Sequence, residues 1–468
     1  MALRVFNTLT GTEEEFKPRG DVVEMYVCGM TPKFHPHIGH ARLFVSTDVI
    51  HRYLEYRGYR VHHVQNFTDV DDKIIARSKK EGIPAQEVAE KYTRSYFEAM
   101  DALNVLHADD YPKATLVIPA IIEFVQKLMA EGYGYEVEGN VYFEVAKFPG
   151  YGKLSGRTEE GVMAGARVEV EPNKRDPRDF ALWKRAKPGE PAWDSPWCPG
   201  RPGWHIECST MIRETLGQQI DIHAGGRDLI FPHHENEIAQ SEAYCHCSPL
   251  ARYWVHVGLL NVGGEKMSHS LNNFLTIQQM LERYEPAALR LYLISNPYRA
   301  PMTYTDEGIE GATKGLARLR SALEPVRGAA AGRAALPEER ETVARVVEAG
   351  QQAFEDGMDA DFNTAEALAA LHDLAREINR LRSREGYPAE ALEPARAKLV
   401  ELAGVVGVQL EVAEAEEGRA AAPFVELLVE LRGKLRVAKQ WALADEVRDR
   451  LKALGVTLED RPEGTVWK

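Results

Sequence analysis

Three patterns in the 468-residue chain predict an α/β fold. Residues 1 to about 110 alternate apolar runs (22–28, 59–66) with amphipathic stretches (41–56, 72–80, 84–103), the βαβ rhythm of a parallel sheet that binds ligands at its C-terminal edge. The rhythm breaks after residue 115 and resumes at 219–226 and 253–262, and from residue 307 the pattern is wholly helical. The chain therefore reads as a Rossmann-type parallel-sheet nucleotide-binding domain with an insertion, followed by a helical bundle and a small C-terminal module.

The first half of the sheet domain, residues 1–114, opens with the apolar run Val22, Val23, Met25, Tyr26, Val27 and passes through HPHIGHAR (35–42) into a helix from Ala41 to Tyr56. In that strand, loop, helix setting His37 and His40 bracket Gly39 where a phosphate chain can approach backbone at the positive end of a helix. Asp69, Asp71 and Asp72 form either a metal site or a helix N-cap cluster. Residues 115–200, the insertion, hold a helix (119–131), a strand (NVYFEV, 140–145) and loops rich in Gly, Pro and charge. The second half of the sheet domain spans 201–306. Amphipathic helices rich in Ala, Glu, Arg and Leu fill 307–417, GRAAAP (418–423) marks a linker, and 424–468 forms the terminal module, with no strand expected beyond Tyr304.

Composition narrows the class. With 44% hydrophobic residues the chain can bury more than one core, and it has neither an apolar run long enough to span a bilayer nor the basic and apolar regions of a signal peptide, so a soluble cytoplasmic protein is expected. A net charge of -14 argues against nonspecific binding to nucleic acid, although basic clusters at 380–399 and 432–439 leave room for a specific RNA contact. The five cysteines are few and odd in number, which favours metal binding or free thiols over a disulfide framework, and Cys245 and Cys247 are spaced too closely to expect a bond between them.

Cysteine also marks the candidate metal site. HIECS places Cys208 on one segment, FPHHENE places His233 and Glu237 four residues apart on one helix face, and YVCGMT supplies Cys28. Thiolate, imidazole and carboxylate are a zinc ligand set. The competing reading is a buried strand thiol, a core thiol and a solvated helix face. Between an apolar run ending at Val262 and a helix from Ile277 lies EKMSHS (265–270), a polar, Gly-preceded loop whose Lys266 is suited to clamping a polyphosphate.

HIGH and KMSHS, in this order and about 230 residues apart, resemble the two signatures of class I aminoacyl-tRNA synthetases. MYVCG (25–29), NFTDVDDKII (66–75), GWHIECS (203–209), DIHAGGRDLIFPHHENEIAQS (221–241) and WALADEVRDRLKALGVTLED (441–460) narrow the resemblance to the cysteinyl-tRNA synthetase family over nearly the whole chain. The resemblance implies ATP-dependent activation of L-cysteine and its transfer to tRNA(Cys), with ATP and its Mg²⁺ as substrate and one Zn²⁺ per chain on Cys28, Cys208, His233 and Glu237 binding the substrate thiol; nothing in the sequence demands more than a monomer. It implies catalytic roles for His37, His40 and Lys266, nucleotide contacts from His37, Gly39, His40, Lys266 and His269, and cysteine contacts from Gly29, Thr68, Trp204, His223 and Asp228. It further implies that Arg436, Trp441 and Asp445 read the anticodon by stacking and edge hydrogen bonds. For Trp441 and Asp445 the competing reading is a core tryptophan and a solvated helix face.

A shape-based pocket separates near-isosteres such as cysteine and serine only ~10–200-fold. Zinc binds a thiolate far better than a hydroxyl, so the implied site removes the need for an editing domain. The chain departs from the family pattern twice: His269 stands where a second signature lysine is expected, and TPKFHP replaces the usual Thr-Val-Tyr-Asp before HIGH. Alternatives are a cysteine-adenylating ligase acting on an amino sugar in mycothiol synthesis, a family without the terminal module, a non-catalytic zinc- or RNA-binding paralogue, and a structural metalloprotein.

Overall fold

The computed structural model describes residues 2–157, 174–262, 265–266, 274–326, 333–410, 416–454, 456, 458–461 and 464–467. They divide into two compact units, Met1–Leu410 and Glu411–Lys468. The first unit begins with an antiparallel hairpin, β1 (Arg4–Asn7) and β2 (Thr12–Glu15). There follow β3 (Val22–Met30), α1 (Ile38–Tyr56), β4 (Arg60–Phe67), α2 (Asp72–Glu81) and α3 (Ala85–Ala102). The inserted layer comprises α4 (Ile118–Ala130), β5 (Gly134–Val137), β6 (Asn140–Phe143), β7 (Phe180–Arg185) and β8 (Gly200–Pro202). The chain then returns to the main sheet through α5 (Trp204–Thr215), β9 (Ile220–Gly226), α6 (Glu235–Cys245) and β10 (Ala251–Val257).

The main sheet is parallel throughout, in the order β10, β9, β3, β4. β3 and β10 are largely buried on both faces and read as near-continuous apolar runs, whereas β4 and β9 bury polar side chains such as His63, Gln65, Asp221 and His223. Because β4 and β9 flank β3 on opposite sides, strand order reverses between β3 and β9, and a crevice opens at their C-terminal ends. The inserted strands form a separate antiparallel sheet, β5 to β8, whose Trp183, Phe143 and Leu182 pack with Ile206 of α5 and Ala239 and Ala243 of α6 in a core of their own.

The apolar stretch 253–262 is not one strand. β10 stops at Val257, and β11 (Leu260–Val262) joins β12 (Glu265–Lys266) and, beyond α7 (Ile277–Leu281) and α8 (Pro286–Leu293), β13 (Met302–Tyr304) in a small second sheet. Gly258 makes the break: a Cβ there would lie 2.3 Å from the Ala300 carbonyl oxygen. Four helices complete the unit: α9 (Asp306–Ser321), α10 (Pro337–Asp359), α11 (Thr364–Arg382) and α12 (Ala389–Val405). Their inward residues Leu316, Phe354, Leu371 and Leu399 belong to the same continuous core as Val27, Phe44 and Val255.

The second unit contains α13 (Glu416–Val437), α14 (Trp441–Ala453) and a hairpin of β14 (Leu458–Arg461) and β15 (Gly464–Trp467). Two expectations are corrected here. The 418–423 segment is helical rather than a linker, in keeping with the high helix propensity of its three alanines. Strands also reappear after Tyr304, in β14 and β15, a terminal hairpin too short to show a period in the sequence. The cysteine reading changes as well, since Cys245 and Cys247 are disulfide-bonded. His246 between them adopts a left-handed conformation (φ 53°), and the resulting turn sets the two Cα atoms 5.2 Å apart, inside bonding range despite the short spacing. Cys28, Cys198 and Cys208 remain thiols.

A buried ion pair ties the sheet to the bundle. Arg290 of α8 pairs with Asp48 of α1 and donates to the carbonyls of Leu103 and Val406, both at 2.9 Å. Asp48 also accepts from the Leu106 amide at 2.8 Å and from Arg52, and these cations hold its carboxyl below the usual range against the effect of burial. Gly407 is required beside it, because its φ is +69° and a Cβ would meet the Arg290 guanidinium at 2.2 Å. Removing one partner of a buried pair strands the other charge, so Asp48→Ala is expected to lower unfolding free energy by about 3–5 kcal/mol in urea titrations. A loss under about 1 kcal/mol would show that the guanidinium is satisfied by its carbonyls alone.

Candidate active site

The C-terminal ends of β3 and β9 deliver Cys28 and His223, α5 delivers Cys208 from its second turn, and the irregular turns at 227–234 swing His233 and His234 into the start of α6, one turn before Glu237. Every one of these side chains is buried, Cys28 at 3% exposure being the most accessible besides the ring of His233 at 2%. The four donors Cys28, Cys208, His233 and Glu237 come together with ligand atoms all within 4.8 Å of one another. A second set, Cys28, His223, His234 and Glu237, satisfies the same limit.

The first set fits zinc. Zn–S bonds of about 2.3 Å and Zn–N or Zn–O bonds of about 2.0–2.2 Å set tetrahedral donor separations of about 3.3–3.8 Å. The Cys28 and Cys208 sulfurs are 4.0 Å apart, Cys28 Sγ lies 3.7 Å from Glu237 Oε1, and His233 Nε2 lies 3.0 Å from the same oxygen. Two sulfurs, a nitrogen and a carboxylate oxygen at such spacing are a borderline-soft donor set.

Electrostatics point the same way. Burial alone would raise the Glu237 carboxyl, yet His223 and His233 hold it well below the usual range, with His223 Nε2 at 2.8 Å from Oε2. Burial likewise opposes charge on His233, but Glu237 and Cys208 raise it to about 10. The hydrogen bond from Cys28 brings the Cys208 thiol down to about 6 against its burial, while burial keeps Cys28 protonated. Thus the cluster is already primed with negative charge on Glu237 and Cys208.

Histidines absent from the sequence-derived set complete the surroundings. His205 Nδ1 is 2.9 Å from His233 Nδ1, His234 Nε2 is 3.3 Å from Cys28 Sγ, and His234 Nδ1 is 2.8 Å from His256 Nε2. The His233–His234 doublet and the three-residue step from His234 to Glu237 were the sequence signal for one of them; His205 and His256 come from segments whose convergence no spacing reveals. Of the expected cysteine contacts, Trp204 stacks on His233 with centroids 4.3 Å apart, and Thr68 is buried beside Asn66, whose amide lies 3.5 Å from its hydroxyl. Gly29 cannot be another residue: a Cβ would lie 1.7 Å from the Asn66 carbonyl oxygen. His223 points at Glu237 and stacks on Trp254, so it supports the carboxylate rather than lining an open wall. Asp228 is exposed in the turn after β9.

The first signature forms the cap of α1. His37 is the N-cap, its Nδ1 accepting from the Gly39 amide at 3.1 Å and the His40 amide at 3.3 Å, while His40 Nδ1 accepts from the His37 amide at 3.2 Å. The rings stack with centroids 3.7 Å apart. Since both Nδ1 atoms accept, both neutral rings carry their proton on Nε2. Burial and the nearby Lys33 lower His40 to about 4, which keeps it neutral at physiological pH. Backbone bonds join this cap to the segment after the second signature, from Ile38 N to Leu275 O (3.1 Å) and from Ile277 N to Pro36 O (2.9 Å). Lys266 pairs through its backbone with Asn261 in β12, and His269 lies outside the described residues. Asp71 is the N-cap of α2, accepting from the Lys73 amide at 2.8 Å, and Asp69 accepts from Thr115, so the acidic triplet works in capping and tethering.

In the second unit Trp441 is 56% exposed at the start of α14, which sets aside the core reading. Asp445 is exposed and pairs with Arg448 at 3.1 Å, and Arg436 is exposed near the end of α13.

A parallel sheet with a thiol-rich metal-type cluster at its switch point and paired histidines capping the first helix describes a class I tRNA synthetase. The class I (C) tRNA synthetase catalytic domain matches residues 15–314, and a DALR domain matches 353–411, within the helical bundle. The cysteine–tRNA ligase of Dehalococcoides mccartyi is 52% identical over 467 residues, covering 100% of this chain and 99% of that one. That of Thermococcus onnurineus is 49% identical over 473 residues with the same coverage. The Mycobacterium tuberculosis methionyl-tRNA synthetase in complex with methionyl-adenylate shares the fold, with a TM-score of 0.58 at 17% identity over 83% of this chain and 90% of that chain. The chain belongs to the cysteine–tRNA ligase family of class I synthetases, and it is an enzyme of that family.

The two overlapping donor sets make different predictions for metal content. Cys208→Ala is expected to abolish the roughly one zinc per chain measured by mass spectrometry of the purified protein, whereas His234→Ala, acting behind Cys28, should retain zinc with affinity reduced about 10–100-fold. The reverse pattern would assign the ion to the set containing His223 and His234.

Proposed function

We propose that the protein activates L-cysteine with ATP and transfers it to tRNA(Cys), with one Zn²⁺ selecting the substrate thiol. The observation that carries this reading is the buried Cys28, Cys208, His233 and Glu237 cluster at the C-terminal ends of the main-sheet strands, in a chain whose first-signature cap is bonded through backbone to the segment that follows the second signature. Zinc, when bound there, supplies a soft Lewis acid for a thiolate and thereby discriminates against serine's hydroxyl. Activation is in-line attack of the amino-acid carboxylate on the α-phosphorus with pyrophosphate leaving, so the chain must align the reactants and neutralise charge rather than provide a nucleophile.

His37 and His40 suit that task, because their Nδ1 atoms accept from backbone amides, which places the ring proton on Nε2, the atom assigned to donate to a phosphoryl oxygen. Gly39 lets the phosphate chain approach the helix N-terminus. Lys266 is assigned the departing pyrophosphate, and His269 the weaker nucleotide contact that a neutral imidazole can make. Mg²⁺ accompanies the nucleotide. Trp204, lying on His233, and Thr68 and Gly29 at the strand ends are assigned to the bound cysteine, as is Asp228, with His223 orienting Glu237 from behind. Arg436, Trp441 and Asp445 are assigned to anticodon bases, supported by the exposed indole face at Trp441. The protein is expected to act as a cytoplasmic monomer; no described helix is long and apolar enough to cross a membrane.

Cysteine-dependent exchange of pyrophosphate into ATP, followed by charging of a tRNA(Cys) transcript, tests the reading; absence of exchange in zinc-replete protein would refute it. His40→Ala should slow exchange about 100-fold or more by removing a donor to developing charge. Asp445→Ala should lower charging while leaving exchange intact, because it lies in the other compact unit. Equal loss in both assays would point to misfolding, and no loss in either would remove Asp445 from the recognition surface.

A further inference from the structure

The far end of α6 carries chemistry that the active site does not use. α6 begins at Glu235, beside the thiol cluster, and ends at Cys245, where the chain closes on itself through the bond to Cys247. Both of these cysteines are half-buried, and His246 and Ser248 next to them are exposed, so the bond is open to solvent. Cys28 and Cys208, by contrast, are buried in the cluster. A disulfide stabilises mainly by closing a loop in the unfolded chain, and the gain shrinks with the loop. A link between residues two positions apart is therefore a poor staple, and exposed disulfides are the labile ones.

The two sulfurs are not equivalent. Cys245 Sγ accepts from the Cys247 amide at 3.2 Å, and its side chain packs on the core of the inserted layer. Cys247 Sγ lies on the exposed side, 3.9 Å from the Gln218 carbonyl oxygen. A sulfur that accepts a hydrogen bond leaves more readily as thiolate, so an incoming thiolate is directed to Cys247.

The bond also holds a contact between layers. His246 has a φ of 53°, a conformation that residues other than glycine seldom adopt, and its Nε2 lies 2.9 Å from Oε2 of Glu131, the C-cap of α4. Next to it the Tyr244 ring lies on Phe124 with centroids 4.1 Å apart, and the Lys127 ammonium sits 4.0 Å from the Tyr244 centroid. Beyond the turn, Gln219 Nε2 donates to the Pro249 carbonyl at 2.8 Å. The turn is thus joined to the inserted layer on one side and to the residue before β9 on the other.

We propose that Cys245 and Cys247 form a reversible thiol–disulfide site that exchanges with low-molecular-weight thiols, and that opening it releases the turn from α4. A thiolate RS⁻ attacks Cys247 Sγ, the bond to Cys245 breaks, and its electron pair goes to Cys245 Sγ, which takes up the proton that RSH gave up. A second RS⁻ attacks the R sulfur of the mixed disulfide and releases Cys247 as a thiol. Two RSH are oxidised to RSSR, and one disulfide is reduced to two thiols. Without the bond nothing covalent keeps His246 at positive φ, and its contact with Glu131 is given up. The site stands independently of the aminoacylation reading.

The test equilibrates zinc-loaded full-length protein with reduced and oxidised glutathione at graded ratios, quenches with acid and alkylates under denaturing conditions. Mass spectrometry should count three alkylated cysteines at the oxidised end, Cys28, Cys198 and Cys208, and all five at the reduced end, reversibly. Under oxidised glutathione Cys245→Ser should hold one glutathione on Cys247; no adduct would overturn attack at that sulfur. Deuterium exchange of the amides between His246 and Leu250 should quicken about 10-fold on reduction, and stay fast at every ratio in Cys247→Ser. Three alkylated cysteines at every ratio would make the bond static, and five at every ratio would show that it does not form; either result overturns the proposal. Reversible titration with unchanged deuterium exchange would overturn the release of the turn. Cys198→Ser should respond as the parent protein does, and loss of the response there would assign the exchange to Cys198 instead.

Discussion

The carboxylate of Glu237 is the group around which the active-site end of the molecule is organised. It is fully buried, and an isolated carboxylate in that position would cost several kcal/mol or would take up a proton. His233 and His223 remove that cost from two sides, at 3.0 and 2.8 Å, and each is fixed in its turn, His233 by His205 and Trp204, His223 by the face of Trp254. A single charge thus dictates the orientation of residues from β9, α5, β10 and the turns before α6. The same charge sits within 3.7 Å of the Cys28 sulfur, so what stabilises the carboxylate also assembles a set of donors.

Where that cluster can form follows from topology. Only between β3 and β9 does the strand order reverse, and only there can helices leave the sheet on both sides and expose the strand ends. The price is close packing of backbone, visible at Gly29 against Asn66 and at Gly203 against Ala181, where a Cβ would lie 1.7 and 1.8 Å from a carbonyl oxygen. The nucleotide side is built by a different device. The His37 cap and the segment at 274–277 are joined by backbone hydrogen bonds, so the residues that flank the two signatures are held together independently of side-chain contacts.

The remote parts are coupled to the sheet by polar contacts that are costly to break. Arg290 and Arg42 are both almost wholly buried and reach backbone carbonyls across element boundaries, Arg42 donating to Pro297 and Ala300 at 3.0 Å. A guanidinium with five donors is well suited to the exposed carbonyl ends of short helices and loops. Through Asp48 and Arg290 the bundle is therefore anchored to α1, whose first turn is the histidine cap. The fold places the cap and the anchor on one rigid helix.

Much of this was legible in the chain itself. Apolar runs marked the positions of β3, β4, β9 and β10 and the helical period marked α1 to α3 and the bundle, because each depends on interactions a few residues long; the spacing of His233 and Glu237 brought both into one site, although His233 lies in the irregular turn before α6 rather than on its face. Asp71 as a cap was likewise a local matter. Tertiary structure decided the rest: the break at Gly258, imposed by the Ala300 carbonyl; the turn at His246 that lets Cys245 and Cys247 bond; the helix through 418–423; and the arrival of His205, His234 and His256 around the thiols. The physical reason is one of range. Periodicity records which side of an element is buried, but which buried groups meet depends on how strands are ordered and where helices cross, and no local pattern encodes that.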